Sequence, residues 1–303
     1  MNIMKKLLSP KLDLVFKMLF TRDTEVLADL INAVLGRTGE KRICSVDIRN
    51  PQILPEDIVR KFIILDILAT DESGHVYDIE MQARKYLSYP ERALYYLCKI
   101  YTEQLGSGEA YGNLKPAIGI HFLDYKLFPK LNDACFLFEL RDIRHPELRL
   151  TDNLALHIFE FPKIRKGQDT VPESLAEWLR FLNYAHKEDE TMRTNYVNPL
   201  ICRAVDMLHN ISADEETRIL AEMREKALKD EASMLDSART EGWETGRIEG
   251  KMEGKLEGEV IGQIRMARRL LGYLPVSEKE LARKSLGELE TDLRKLESEI
   301  KWH

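Results

Sequence analysis

Cysteine is scarce in this sequence and nowhere paired. Cys44, Cys98, Cys135 and Cys202 stand far apart, and no two have CxxC spacing. That argues against a zinc ribbon or a disulfide frame and leaves the expectation of buried thiols in a reducing cytosol. Long apolar runs are missing too, so no stretch is suited to span a bilayer. The opening MNIMKKLLSPKLD has two lysines followed by only two leucines, which is not a secretory apolar core, and a cytoplasmic protein is expected. Positive charge is not in excess. The formal net charge is −6, and neither the first 210 residues nor the remainder has more Lys and Arg than Asp and Glu. A module that holds nucleic acid by bulk charge is excluded, and any such contact must use a local patch. There is no G-x-S-x-G and no P-loop, and Gly106-Ser107-Gly108 reads as a turn. His75 falls in a loop, where a lone His is usually exposed, while His121 and His157 fall in expected strands at no metal-ligand spacing.

What is present is enough apolar residue, 44% of 303, for a sizeable core and more than one structural unit. Residues 12–20 and 24–36 have helical spacing, the second segment ending at Gly36. Residues 41–50 alternate as a strand does. Residues 89–105 predict a helix with Leu94, Leu97, Cys98, Tyr101 and Leu105 on its buried face. Residues 116–125, 133–142 and 153–163 predict three further strands. The order α-α-β-β-β-α-β-β-β indicates a mixed α/β fold. After about residue 170 the strands stop, and 173–186 and 197–211 predict short amphipathic helices.

Between the first strand and the third helix lies the most informative segment, KFIILDILATDESGHVYDIEMQ, residues 61–82. Two strands flank the turn Glu72-Ser73-Gly74, and a three-residue loop with Gly last is a common hairpin connection. If Asp71 pairs with His75, Asp66 faces Glu80 across the ladder. Like charges so placed repel, and a divalent cation would relieve them. Gln82 projects from the same face as Glu80, two residues on. Asp78 shares that face as well, with a solvated acid as its equally good reading. Phe62 to Leu68 is almost continuously apolar, which suits a strand buried on both faces, where an unpaired Asp is costly. The alternative is an ordinary wet hairpin.

A second signal lies in the charged helix expected from Ser212 or Asp214 to about residue 271. Gly242, Gly246, Gly250, Gly254, Gly258 and Gly262 recur every four residues. Each interior Gly costs a helix about 1 kcal/mol against Ala. Close approach of a second helix would compensate, and a period above 3.6 favours a right-handed wrap. A self-association surface through Gly242–Gly262, giving a homo-oligomer, and a frayed solvated linker both remain open. At the end, Ser277 with Glu280 and Ser285 with Glu288 make two capping boxes. Leu281, Leu286, Leu289, Leu293, Leu296 and Ile300 offer a small shared core. The expected organisation is an α/β domain over 1–170, a helical extension over 171–213, the long helix over 214–272 and a helical hairpin over 273–303.

SPKLDLVFKMLF (9–20), LDILATDESGHVYDIEMQ (65–82), the helix and strand over 89–125 and the EGxxxG run occur in an order that resembles the PD-(D/E)XK nuclease superfamily. Within it, the chain resembles the recombination-promoting nuclease / transposase family of bacteria. The resemblance implies a restriction-endonuclease-like mixed sheet flanked by helices and a Mg²⁺-dependent (or other divalent cation-dependent) DNA endonuclease tied to recombination or mobile elements. It implies catalytic roles for Asp66, Glu80 and Gln82, and a metal held by Asp66, Glu80 and the Met81 carbonyl. Gln82 stands where the superfamily commonly has Lys, and Gln is the usual residue in this family. Gln cannot take a proton from water but can orient it. Asp13 is a supporting acid by the same resemblance, with helix-dipole partner as its alternative. Arg84, Lys85 and Arg92 are candidate phosphate contacts, and Tyr89 supports the site or the core. The other class of function is a catalytically weak oligomeric DNA-binding or scaffold protein. True transposition would need a D-D-E triad, which the sequence does not display.

Overall fold

The computed structural model describes residues 6–50, 66–164, 171–187 and 196–300. The chain divides into two compact units, Met1–Lys229 and Asp230–His303.

The first unit opens with helix α1 (Asp13–Arg22) and helix α2 (Thr24–Leu35). Asp23 begins α2, its carboxylate accepting from Glu25 N at 3.0 Å and Val26 N at 3.1 Å. Gly36 ends it at φ 62°, a left-handed turn that Gly tolerates without strain. Strands β1 (Val46–Ile48), β2 (Ile67–Asp71) and β3 (Val76–Gln82) follow. Helix α3 (Tyr89–Thr102) leads to β4 (Ala117–Leu123), β5 (Cys135–Glu139) and β6 (Leu154–Glu160). Helices α4 (Glu173–Tyr184) and α5 (Pro199–Ala213) complete the α/β body. The six strands form one mixed sheet in the order β1-β2-β3-β4-β6-β5. β3 pairs with β4 and β4 with β6 in parallel, and the other pairs are antiparallel. This is the expected element order. The first strand is shorter than expected: residues 39–41 wind into a 3₁₀ turn and only Val46–Ile48 pair with β2. The apolar residues Phe62 to Leu65 lie outside the described residues.

One face of the sheet carries the main core. Tyr77, Ile79 and Met81 of β3 and Ile118, Ile120 and Phe122 of β4 pack with Phe16, Phe20, Leu30, Trp178 and Leu208 from α1, α2, α4 and α5. Ring contacts of Phe122 with Phe16 at 5.7 Å and with Phe159 at 5.2 Å tie α1 to the strands. Asp29 of α2 is buried beneath this layer, accepting from Trp178 Nε1 at 2.9 Å, Asn198 Nδ2 at 2.7 Å and Arg42 Nη2 at 2.7 Å.

α3 covers the other face. Its buried stripe is Tyr89, Ala93 and Leu97, the first two packing with Leu123 and Ile158. The expected stripe was displaced: Leu94 is 57% exposed. Tyr89 and Arg92 take the inward positions because the strand face beneath this end of the helix is polar. The cysteines are corrected as well, since Cys44 is exposed and the other three are half-buried.

Helix α6 (Glu215–Leu270) begins at Asp214, whose carboxylate accepts from Thr217 N at 2.8 Å. In the second unit, Ile261, Ile264 and Ala267 of α6 pack with Leu281 of α7 (Glu278–Leu281) and with Leu289, Leu293 and Leu296 of α8 (Leu286–Glu299). Leu286 stays outside this cluster. Ser285 and Glu288 form the expected capping box, Glu288 accepting from Ser285 N at 2.8 Å, and Ser277 Oγ accepts from Glu280 N at 3.3 Å.

Candidate active site

The hairpin forms in the expected register. Asp71 N donates to His75 O at 3.1 Å, and Gly74 closes the turn at φ 85°. Asp71 fastens this tip through its side chain, which accepts from Ser73 N, His75 N and Tyr77 OH and lies 2.7 Å from His75 Nδ1. His75 is therefore engaged, not a free loop histidine. Ile67 faces Ile79 and Leu68 faces Asp78, so the next step of the same register is Asp66 with Glu80. Asn50 pins the start of β2, donating to Asp66 O at 3.2 Å and accepting from Leu68 N at 2.8 Å.

All seven residues of β3 are buried. Alternation sends Tyr77, Ile79 and Met81 to the core and leaves Asp78, Glu80 and Gln82 on the face beneath α3. Asp78 is 2% exposed and Glu80 6%, which rules out the solvated reading of Asp78. The parallel ladder sets Gly119 opposite Asp78 and His121 opposite Glu80. His121, 1% exposed, completes a triad with Asp78 and Glu80, one ligand atom of each within 4.8 Å of the others. Its Nε2 is 3.6 Å from Asp78 Oδ2, too long for a hydrogen bond. Both atoms are buried and make no hydrogen bond. Tyr89 OH lies 2.7 Å from His121 Nδ1 and fixes the ring from above. Gly119 leaves room for that ring, since a Cβ there would lie 3.3 Å from His121 Nε2 and 2.6 Å from Leu156 Cδ1.

The electrostatics follow from crowding charge in a dry place. Burial first, and then the charges of Asp78 and Glu80, push the Asp66 carboxyl up to about 6, against a smaller pull from Lys17. Asp66 is half-buried and stands outside the triad, yet it feels both acids. Burial also raises Glu80, with His121 opposing and Asp78 adding to the shift. For His121, burial favours the neutral ring, but the Glu80 and Asp78 carboxylates outweigh it and the net shift is upward. Tyr89 is raised by burial first and stays a phenol. Such a cluster is destabilised by its own charge, and a buried oxygen and nitrogen without hydrogen bonds point into it. Two carboxylates and one imidazole are a competent donor set for a divalent cation. The residues present fit a metal.

The other expected site residues are distributed as follows. Gln82 Nε2 donates to Glu80 Oε2 at 2.9 Å. Met81 turns its side chain into the core. Arg92 spreads over Tyr86 at 4.9 Å, and Arg84 Nη1 and Arg92 Nη2 are buried without a hydrogen bond. Lys85 is exposed. Asp13 is paired with Arg224 of α6, whose Nε lies 3.0 and 3.1 Å from its two oxygens. His157 is apart from the cluster, and burial pushes its pKa down to about 4. His121, set aside in the sequence for lack of metal-ligand spacing, stands in the cluster, and Lys17 has no signal in the sequence. The parallel register that brings His121 to Glu80 has no local signature, although alternation does place His121 and Gly119 on one face of their strand.

The model of the PD-(D/E)XK nuclease family transposases matches residues 10–238. The chain belongs to this family. The match spans α1 through the sheet and into α6, so the PD-(D/E)XK nuclease fold organises the polar face just described. No curated protein and no solved structure matches the chain significantly. Among the described residues, no helix is long and apolar enough to cross a membrane.

Proposed function

We propose that this PD-(D/E)XK family member is a divalent cation-dependent DNA endonuclease that hydrolyses phosphodiester bonds during recombination or the movement of mobile elements. The observation that carries the reading is the buried polar face of β3, where Asp78 and Glu80 meet His121 and neighbour Asp66. Stability alone gives no reason to bury these charges together. In this reading Glu80, with Asp66, Asp78 and the Met81 carbonyl as its neighbours, holds the cation. A bound divalent cation supplies Lewis-acid activation of the scissile phosphate and of water. Gln82 holds the Glu80 carboxylate through its amide nitrogen, and an amide also accepts, so it can orient a water. Arg84 and Arg92 have buried guanidinium nitrogens free of hydrogen bonds, which suits a phosphate, and exposed Lys85 adds positive charge. Asp13 anchors α1 to Arg224 in this scheme.

The test is plasmid nicking with and without a divalent cation, by the wild type and by Asp66→Asn and Glu80→Gln. Cation-dependent nicking lost in both variants is expected. Nicking that both variants retain overturns the mechanism.

One observation favours a second reading, an oligomeric DNA-binding scaffold of weak activity. From Gly242 to Gly262 a Cβ would meet no neighbouring atom, so nothing described in the chain packs on the stripe. Trp243, Ile248, Met252 and Leu256 are exposed beside it. Under either reading we propose a homo-oligomer in which a second copy covers this helix.

A further inference from the structure

The donor set is not the one a magnesium site needs. Mg²⁺ takes oxygen ligands and keeps several waters. Imidazole instead suits first-row transition metals such as Fe, Ni, Cu and Zn, and Mn²⁺, the one among them nearest to Mg²⁺ in its taste for oxygen, is the most demanding probe of that preference. His121 is the residue that decides. It is buried to 1% and lies directly opposite Glu80 in the ladder, with Nε2 turned toward Asp78 at 3.6 Å and without a hydrogen bond. Its other nitrogen is already engaged with Tyr89 OH at 2.7 Å. Where Tyr89 accepts from Nδ1–H, Nε2 is the ring nitrogen left to face the two carboxylates, and a bound cation would take the place of its proton. Ligating histidines are commonly oriented in this way by an oxygen partner behind the ring. Gly119 keeps the space beside Nε2 clear.

We infer that this site selects a first-row transition dication over Mg²⁺, with His121 Nε2 as a direct ligand beside Asp78 and Glu80 and Tyr89 as the positioning residue. The inference rests on the metal-dependent reading and specifies which class of metal it uses.

The experiment uses the full chain and Mn²⁺ as probe. Mn²⁺ and Mg²⁺ affinities are measured by calorimetry, and the Mn²⁺-loaded protein is examined by electron spin echo envelope modulation, which detects a ligating ¹⁴N. Mn²⁺ binding tighter than Mg²⁺ by about tenfold or more is expected, with nitrogen modulation present. His121→Asn removes the modulation and brings the two affinities together. Tyr89→Phe weakens Mn²⁺ by about 10–100-fold. Should His121→Asn fail to fold by circular dichroism, the Tyr89→Phe protein decides, because a shifted ring must alter the nitrogen coupling. Mn²⁺ bound without nitrogen modulation, at an affinity equal to Mg²⁺, overturns the inference and leaves the carboxylate site standing. Binding of neither ion, or binding indifferent to Glu80→Gln, overturns the metal-dependent reading and the inference with it.

Discussion

The two faces of β3 are equally dry and chemically opposite. Tyr77, Ile79 and Met81 lie under α1 and its neighbours, while Asp78, Glu80 and Gln82 lie under α3, and none of the six is more than 6% exposed. Burial therefore does not distinguish core from site. What distinguishes them is whether the buried groups are satisfied. The apolar face is filled by well-packed rings and branched chains. The polar face retains an oxygen and a nitrogen without hydrogen bonds and at least two carboxyl groups pushed upward. A buried polar group that the fold has left incomplete needs something from outside the chain.

Neighbouring substitutions on one strand test that contrast directly. Glu80→Gln should lower nicking by on the order of a thousandfold, about 4 kcal/mol of barrier, while urea unfolding shows the fold intact. Ile79→Ala, one residue away on the other face, should cost about 2–5 kcal/mol of stability and leave per-molecule activity near the wild type at low temperature. If the two effects exchange, the faces have been misassigned.

Asp66→Asn sharpens the comparison because its sign is reversed. The folded chain disfavours ionised Asp66, so the cost is absent below the ordinary pKa of 3.8, grows as pH rises and is complete above about 6. In EDTA at pH 8 the variant should be more stable than the wild type by about 1–3 kcal/mol, with the gap closing toward pH 4. Denaturant melts at the two pH values measure it, and a destabilised variant at pH 8 contradicts the account. Gly119→Ala should cost about 1–3 kcal/mol through contact with Leu156, with cation affinity falling as the ring beside it shifts. The smallest effect belongs to the exposed stripe. Gly250→Ala should add about 1 kcal/mol of helix stability if solvent alone covers it. A net loss of thermal stability that deepens on dilution would instead reveal a partner helix there.

Much of this architecture is legible in the sequence. The Gly74 turn and the alternation of YDIEMQ specify a register, so Asp66 and Glu80 could be paired from spacing alone. The helix end at Gly36 follows from local capping chemistry, and Asp214 is one of the two starts that the sequence offers for the long helix. His121 was not readable as a site residue, because a parallel neighbour's alignment is set by tertiary packing and not by a loop. The stripe of α3 was misjudged for a related reason. Leu94 continues an apolar pattern, but the sheet beneath offers charge there, and Tyr89 and Arg92 match it better.

Asp71 has a consequence that reaches well beyond its own turn. By fastening Ser73, His75 and Tyr77 it fixes the phase of the whole ribbon from the end remote from the acids. A slip of one residue would throw Tyr77, Ile79 and Met81 under α3 and drive three polar side chains into the aromatic layer. A carboxylate about 17 Å along the strand from Asp66 thus acts as the timing mark that keeps Asp66 in register with Glu80.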